Sequence, residues 1–257
     1  MSTIVKGIDI KNEKNIDAMR QAGRIVAAIL EILSKQIKPG METRELDVIA
    51  AREVKRRGAE ASFKGYHDFP ANICVSVNDE IVHGIPGRRE LHEGDIVSID
   101  FGVIYKGFQG DAAITVGVGK ISKKAKELID TTRGALEAGI KAAREGARLG
   151  DISHAIQNYA EPRGYSVVRE YTGHGIGRDM HEEPQIPNFG PPNSGPVLKK
   201  GMILALEPMV NIGDWRTRVG DDQWTVLTAD GNLSAHFEHT IAITDSQPEV
   251  LTKEVYA

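Results

Sequence analysis

Two short stretches of the sequence repeat one pattern, and each ends an apolar run with a carboxylate. Residues 91–100 read LHEGDIVSID and residues 198–207 read LKKGMILALE, so the terminal acids Asp100 and Glu207 lie 107 positions apart (207 − 100). An ionised carboxylate resists transfer out of water unless a cation or strong hydrogen bonds compensate its charge. The repeated strand therefore predicts two related halves, each of which delivers acidic ligands to a shared site.

The region before each acidic stretch repeats at nearly the same offset. Gly40 and Gly146 lie 106 positions apart (146 − 40), and several further pairs share that spacing. A difference of one residue between the two offsets corresponds to a small insertion in a loop. We therefore interpret the chain as a duplication within one domain, residues 1–257, whose halves are about 1–118 and 124–257.

Apolar residues recur at helical spacing in two places in each half. A Pro39-Gly40 breaker closes the first helix, and Asp151 is interpreted as the N-cap of the last one. Strands follow each helix pair, and this order predicts an α+β fold with helices packed on one face of a largely antiparallel sheet. The predicted helices cover residues 16–33, 43–57, 124–144 and 151–163.

The composition is that of an ordinary soluble globular protein. Hydrophobic residues make up 40% of the chain and charged residues 26%, and the formal net charge of −4 argues against a general nucleic-acid binder. The single cysteine, Cys74, cannot form an internal disulfide, which fits a reducing compartment. No segment reads as a signal peptide or as an apolar span of about 20 residues. We therefore expect a cytoplasmic protein with no membrane segment.

Residues 95–118 predict a β-hairpin that turns at Lys106-Gly107. A two-residue turn there places Asp100 opposite Ala113. Asp100 and Asp111 then become diagonal neighbours on one face, about 7–8 Å apart at the backbone. Both carboxylates can reach one cation from these positions.

The second half repeats this arrangement with Glu207 and Glu238, which brings four acids together. Such a cluster repels itself unless divalent cations neutralise it. His174, in the glycine-rich run 172–177, adds the nitrogen donor that a carboxylate-rich metal site commonly contains. The alternative interpretation is that these acids lie at solvated strand ends, and that the histidine is structural.

Seven short segments occur in order along the chain: 81–86 (IVHGIP), 98–100 (SID), 110–111 (GD), 173–177 (GHGIG), 181–184 (HEEP), 207–210 (EPMV) and 237–240 (FEHT). Through these segments the sequence resembles the type I methionine aminopeptidases, with compatible spacing from the N-terminal helix to about Leu251. That family adopts the pita-bread α+β fold, in which two pseudo-symmetric halves pack helices on a curved antiparallel sheet. Only 31 positions separate Glu207 from Glu238 (238 − 207), which leaves no room for the helical insertion of type II members and indicates the short bacterial form.

The resemblance implies a centre of two divalent metal ions per chain, with cobalt, manganese, iron and zinc left open. It implies that Asp100 binds one ion, that Asp111 and Glu238 bridge both, and that His174 and Glu207 bind the second. Glu207 would also act as general base and acid.

The resemblance also implies roles for residues around the metals. His83 would steady the substrate amide and the departing amine, and His181 would donate to the carbonyl oxygen. Phe69 and Met180 depart from the commonest bacterial pattern, because the first lacks a hydroxyl group and the second lacks a ring. The implied methionine pocket consists of Tyr66, Phe69, Cys74, Met180 and Trp224, with His67 beside this wall.

The family role implies removal of the initiator methionine from nascent polypeptides, especially before a small second residue. Contact with the ribosome near the exit tunnel is the implied partner interaction, and Lys123 and Lys124 are candidate attachment points. The family also implies a monomer. Proline-directed relatives with the same fold (aminopeptidase P and prolidase), a non-catalytic binding protein and a cysteine hydrolase using Cys74 are the competing interpretations.

Overall fold

The computed structural model describes residues 3–5 and 7–253, and within them four α-helices form where the apolar periodicity predicts them. The helices are α1 (Glu13–Gln36), α2 (Thr43–Arg56), α3 (Lys123–Ala142) and α4 (Leu149–Ala160), and short 3₁₀ turns occupy Tyr66–Asp68 and Glu161–Arg163. None of the helices in this part of the chain combines the length and apolar character needed to cross a bilayer.

Strands lie before, between and after the two helix pairs of the described chain. They are β1 (Thr3–Val5), β2 (Ile8–Ile10), β3 (Glu60–Ala61), β4 (Cys74–Val77), β5 (Glu80–Val82), β6 (Ile96–Tyr105), β7 (Phe108–Gly117), β8 (Ser166–Val167) and β9 (Thr172–Gly175). In the C-terminal part they are β10 (Glu182–Pro187), β11 (Ile203–Leu206), β12 (Met209–Asn211), β13 (Thr217–Val219), β14 (Val226–Thr228), β15 (Ser234–His236), β16 (Glu238–Ala242) and β17 (Glu249–Val250).

Side chains at the start of each helix satisfy backbone N–H groups that have no partner within the helix. Asn12 Oδ1 accepts from the N–H of Asn15 at 3.0 Å before α1, and Ser122 Oγ accepts from the N–H of Ala125 at 3.1 Å before α3. The prediction that Asp151 caps α4 was wrong. The N-cap is Arg148, and Asp151 lies three residues inside, where its carboxylate accepts the Arg148 N–H at 2.8 Å.

Nine strands of the described residues form one antiparallel sheet through both halves of the chain. Its main path is β10-β9-β11-β16-β7-β6-β3, while β4 also pairs with β6 and β17 with β16. The halves meet where β7 pairs with β16, through Ala113 opposite Glu238 and Ala112 opposite His239. The junction of the two halves therefore lies in the middle of the sheet.

The β6–β7 hairpin has the predicted register throughout. Tyr105 faces Phe108 across the turn, and Asp100 faces Ala113 further along the ladder. Lys106 and Gly107 both have positive φ angles, 52° and 75°, as a two-residue hairpin turn requires. The turn therefore fixes which face each acid occupies.

Two hydrophobic clusters cover the sheet, one under each helix pair. Leu33 of α1 and Leu46 of α2 are fully buried with Phe101 of β6 in the first cluster. Ile152 of α4 and Leu204 of β11 are fully buried in the second. Ile114 of β7 packs against both clusters, so the two cores meet at the sheet junction. The predicted α+β class is confirmed, and the exact limits of the two halves stay a prediction.

Candidate metal centre

The register of three neighbouring strands places acids from both halves on one face of the sheet. Asp100 on β6 and Glu238 on β16 both lie opposite Ala113 of β7. Asp111 lies two residues before Ala113, so strand alternation gives it the same face. The Thr240 hydroxyl holds Asp111 there, because it accepts the Asp111 N–H at 3.0 Å and donates to the Asp111 carbonyl at 2.7 Å.

Glu207 and His174 reach this face from the next two strands. Ala205 of β11 lies opposite both Thr240 and His174, and Glu207, two residues after Ala205, shares its face. Nε2 of His174 lies 3.6 Å from Oε1 of Glu207. Ligand atoms of Asp111, His174 and Glu238 all lie within 4.8 Å of one another. The five sequence-predicted ligands therefore converge on one site.

Buried carboxylate oxygens in this cluster have no hydrogen-bond donor. Within the described residues, Asp100 Oδ1, Asp111 Oδ1 and Glu238 Oε1 are buried and unpaired. Burial raises the pKa of Asp111 to about 7, and it raises the pKa values of Asp100, Glu207 and Glu238 well above their ordinary range. Mutual repulsion among the carboxylates adds to the effect on Asp100, Glu207 and Glu238. The environment thus disfavours four negative charges unless positive charge compensates them.

His174 presents a neutral nitrogen to the same cluster. Burial lowers the pKa of His174 to about 3. Its Nδ1 lies 2.9 Å from the carbonyl oxygen of Gly175, and because a carbonyl only accepts, Nδ1 carries the ring proton. The lone pair of Nε2 therefore faces Glu207 and is free to bind a cation.

These observations fit divalent metal ions. Carboxylates with unpaired buried oxygens, together with one imidazole whose free lone pair faces them, form the donor set that manganese, iron, cobalt and zinc accept in proteins. A cation would supply the charge that the buried oxygens lack. The donor set does not select one of these metals.

His83 lies beside this cluster in a backbone conformation that is rare for a residue with a side chain, at φ 61°. The neighbouring Gly84 is tied to β4, because its N–H donates to Ser76 Oγ at 3.1 Å and its carbonyl accepts the Val75 N–H at 2.8 Å. Burial lowers the pKa of His83 to about 4, so the imidazole is neutral near pH 7. The constrained backbone fixes the direction of the Cα–Cβ bond, and with it the side from which the ring enters the cavity.

All thirteen residues predicted from the sequence as ligands, catalytic groups or pocket walls line one cavity of about 210 Å³. Phe69, Cys74 and Met180 are buried, and Phe69 and Trp224 form an edge-to-face pair with ring centroids 5.1 Å apart. The exposed His67 contacts Tyr66 at a centroid distance of 4.4 Å. The acidic cluster and its histidines therefore share one cavity with aromatic and apolar side chains.

Burial also argues against Cys74 as a nucleophile. It raises the pKa of the thiol well above its ordinary value, and the nearby carboxylates add to the effect. Because the thiolate is the reactive form, the raised pKa disfavours nucleophilic chemistry at this thiol near neutral pH.

Sequence reasoning missed two residues at this site. Phe63 lines the cavity from the loop after β3, where the sequence shows no periodic apolar pattern. His236 is 1% exposed, and its Nε2 lies 3.8 Å from Oε2 of Glu207. In the sequence, the clue to His236 was its position two residues before Glu238. His236 ends β15, and Glu238 begins β16.

The candidate ribosome-contact lysines lie elsewhere on the surface. Lys123 and Lys124 line a separate cleft with Arg163 and Tyr165. The side chain of Lys123 is 91% exposed.

Comparison with known proteins places this geometry in context. The profile of Peptidase_M24, metallopeptidase family M24, matches residues 17–245. Methionine aminopeptidase 1 of Bacillus subtilis is 55% identical over 243 residues, which cover 95% of this chain and 98% of the relative. The crystal structure of a methionine aminopeptidase from Thermotoga maritima superposes with a TM-score of 0.95 at 48% identity, over 96% of this chain and 100% of that one.

A more distant likeness concerns the fold alone. Prolidase from Pyrococcus furiosus has a TM-score of 0.79 at 23% identity, over 96% of this chain and 66% of that chain. The pita-bread fold expected from the sequence is confirmed by these structural neighbours.

Proposed function

The chain belongs to metallopeptidase family M24 and, within it, to the type I methionine aminopeptidases, and from this membership we propose that it removes the initiator methionine from new protein chains. The reaction is metal-assisted hydrolysis of the first peptide bond, with a preference for a small second residue. One observation carries the proposal. Five side chains of the kinds that bind divalent metal ions line the same cavity as a set of aromatic and apolar side chains.

Two divalent ions would be held by Asp100, Asp111, His174, Glu207 and Glu238. Bound divalent ions supply Lewis acidity, which activates water and polarises the scissile carbonyl group. The unpaired oxygens of Asp111 and Glu238, both near the free nitrogen of His174, support this assignment. The donor set leaves the identity of the ions open among manganese, iron, cobalt and zinc.

Glu207 is the proposed proton carrier. Its raised pKa suits a group that accepts a proton from water and returns it to the departing amine. His83 is neutral and held in a fixed direction, so its ring can steady the peptide nitrogen. His181 also lines the cavity, and its ring N–H can donate to the carbonyl oxygen of the substrate as negative charge develops there.

The methionine side chain would occupy the chamber next to these groups. A thioether is unbranched and polarizable, and it contacts aromatic rings favourably. Asp222 fixes one wall, because its carboxylate accepts the backbone N–H groups of Trp224 at 2.9 Å and Thr225 at 2.8 Å. The proposed pocket residues are Tyr66, His67, Phe69, Cys74, Met180 and Trp224, with Phe63 added by the structure.

The experiment is a metal panel with defined peptides. Purified protein is stripped of metal, loaded with manganese, iron, cobalt or zinc, and incubated with Met-Ala-Ser. We expect release of free methionine, no release from Ala-Ala-Ser, and loss of release in Glu207→Gln. Absence of release with every metal, from folded protein that binds metal, would reject the proposal, and preference for an Xaa-Pro peptide would favour a proline-directed enzyme instead.

We also propose a monomeric, cytoplasmic enzyme that meets its nascent substrates near the ribosomal exit tunnel. The exposed lysines at 123 and 124 offer positive charge for that contact. Charge reversal at both positions should reduce co-sedimentation with ribosomes without changing peptide turnover. Unchanged co-sedimentation would exclude these two residues as the contact.

A further inference from the structure

A direct hydrogen bond joins two walls of the cavity. The hydroxyl oxygen of Tyr66 lies 2.7 Å from Nδ1 of His181, although the two residues are 115 positions apart in sequence. Their ring centroids are 5.4 Å apart at a tilt of 39°. Tyr66 therefore contacts His181 in two ways, through its hydroxyl group and through its ring.

The chemistry of the partners distinguishes His181 from its neighbour His174. The two imidazole rings are in edge contact, with centroids 4.3 Å apart. Nδ1 of His174 faces a carbonyl group, which can only accept a hydrogen bond, whereas Nδ1 of His181 faces a hydroxyl group, which can donate. A phenol O–H is a strong donor and a neutral imidazole nitrogen is a strong acceptor, so the favoured direction runs from Tyr66 to His181.

We propose that Tyr66 is a positioning residue for the reaction, in which its hydroxyl donates to His181 Nδ1 and keeps the ring proton on Nε2. This inference rests on the proposed function, in which Nε2–H of His181 donates to the substrate carbonyl. The adjacent histidines then hold opposite tautomers. His174 offers an Nε2 lone pair to a cation, and His181 offers an Nε2 proton to the substrate.

The loop that carries Tyr66 is built to hold this hydroxyl in place. The Tyr66 N–H donates to the Phe63 carbonyl at 2.9 Å, and the Phe69 N–H donates to the Tyr66 carbonyl at 2.9 Å. The next two residues, His67 and Asp68, have left-handed φ angles of 47° and 68°. Two consecutive residues in this costly conformation indicate a turn whose shape the surrounding contacts impose.

Kinetics of Tyr66→Phe test the role, because this change removes the hydroxyl and keeps the ring in the pocket. We expect kcat for Met-Ala-Ser to fall about tenfold, as loss of one hydrogen bond allows. KM should stay within about twofold, because the apolar contacts remain. In a His181→Ala background the same change should have no further effect.

Tyr105→Phe is the matched control, since it removes a tyrosine hydroxyl at the hairpin end, outside the cavity, and should leave both constants unchanged. A rise in KM with unchanged kcat would overturn the proposal, because Tyr66 would then be a pocket wall only. An equal loss in the His181→Ala background would also overturn it.

The tautomer is read directly by two-bond ¹H–¹⁵N spectra of the histidine rings in zinc-loaded protein. We expect an unprotonated, hydrogen-bonded Nδ1 and a protonated Nε2 for His181, with the Nδ1 resonance shifted in Tyr66→Phe. A proton on Nδ1 would refute the assignment. Because the spectra need no turnover, an inactive wild-type protein would reject the proposed function while the hydrogen bond itself is still decided.

Discussion

Asp100 and Glu238 lie on either side of the same residue, Ala113, one on β6 and the other on β16. Residues opposite one another in adjacent strands share a face, so the two carboxylates and the methyl group of Ala113 on the intervening strand β7 project the same way. The acids come from different halves of the chain. The duplication seen in the sequence is thus converted into a single site by the pairing of β7 with β16.

Removing one acid should have opposite effects without and with metal. In Asp111→Asn, one of four mutually repelling buried carboxylates is neutralised, so the metal-free protein should gain about 1 kcal/mol of unfolding free energy. The wild type should gain roughly 2.7 kcal/mol when free manganese is about 100 times its Kd, and the variant should gain far less.

Urea unfolding in EDTA and in excess manganese measures both effects. Asp130→Asn on α3 is the control, because it removes an exposed acid 3.5 Å from Arg133. Its unfolding free energy should differ from that of the wild type by the same amount in EDTA and in manganese. Equal stabilisation of wild type and Asp111→Asn by manganese would contradict the assignment of this carboxylate as a ligand.

Gly84→Ala should destabilise the fold and displace His83. A Cβ atom at this position would lie 2.2 Å from the carbonyl oxygen of Val75, which is held in the sheet and cannot move away. We expect a loss of about 2–3 kcal/mol in urea unfolding and a drop in kcat in the fraction that folds. Gly87→Ala, where the nearest atom is 3.9 Å away, should be close to neutral, and a similar loss there would point to a general intolerance of the loop.

Gly102→Ala should narrow the methionine pocket without removing a ligand. A methyl group there would lie 3.0 Å from the side chains of Met180, Phe63 and Ser62, and the first two line the cavity. An added methyl group in an apolar pocket changes discrimination by about tenfold or more, so we expect KM for Met-Ala-Ser to rise by that factor. Calorimetric manganese titration should give wild-type stoichiometry; lost metal binding would show that the change acts on the acids instead.

Glu53→Gln should lower stability near neutral pH and have little effect in acid. The hydrogen bond from Arg57, aided by the charges of Arg56 and Arg52, holds the pKa of Glu53 below its ordinary value. A carboxyl group whose pKa is lower in the folded state stabilises the fold above its unfolded pKa of about 4.3, and this contribution disappears as the pH falls through the folded value.

The expected loss is roughly 1 kcal/mol at pH 7, the usual net value of a hydrogen bond. The difference in unfolding free energy between wild type and variant, measured by urea unfolding at a series of pH values, should shrink as the pH falls below about 4. Glu127→Gln on α3, whose exposed carboxylate lies 3.6 Å from Lys123, provides the comparison and should show a smaller difference. A Glu53→Gln effect that stays constant across this range would rule out the ionic explanation.

The sequence predicted the central hairpin in detail because one two-residue turn determines its register. Once Lys106-Gly107 is the turn, the positions of Asp100 and Asp111 follow from strand geometry alone. The meeting of the five proposed ligands in one cavity was predictable for the same reason, together with the repeated pattern and the family resemblance.

Contacts that depend on tertiary packing were not predictable in the same way. The N-terminus of α4 was misplaced because Asp151 can serve equally well as a cap or at the third helical position, and only the pairing of Arg148 with Val197 decides between them. Phe63 and His236 reach the site through loop and sheet contacts that leave no periodic pattern. The short strands β13 and β14, of three residues each, are likewise defined by their partners.

The pairing of β7 with β16 joins the halves through two residue pairs, and the hydroxyls of Thr240 and Thr115 add hydrogen bonds to Asp111 and His236 across the same junction. Asp111 and Glu238 project from the two strands that meet there, so a cation bound by both carboxylates would link the two halves of the sheet. Removal of bound metal would then weaken the centre of the sheet. Amide hydrogen exchange at residues 111–113 and 238–240 would increase more than exchange in the flanking strands.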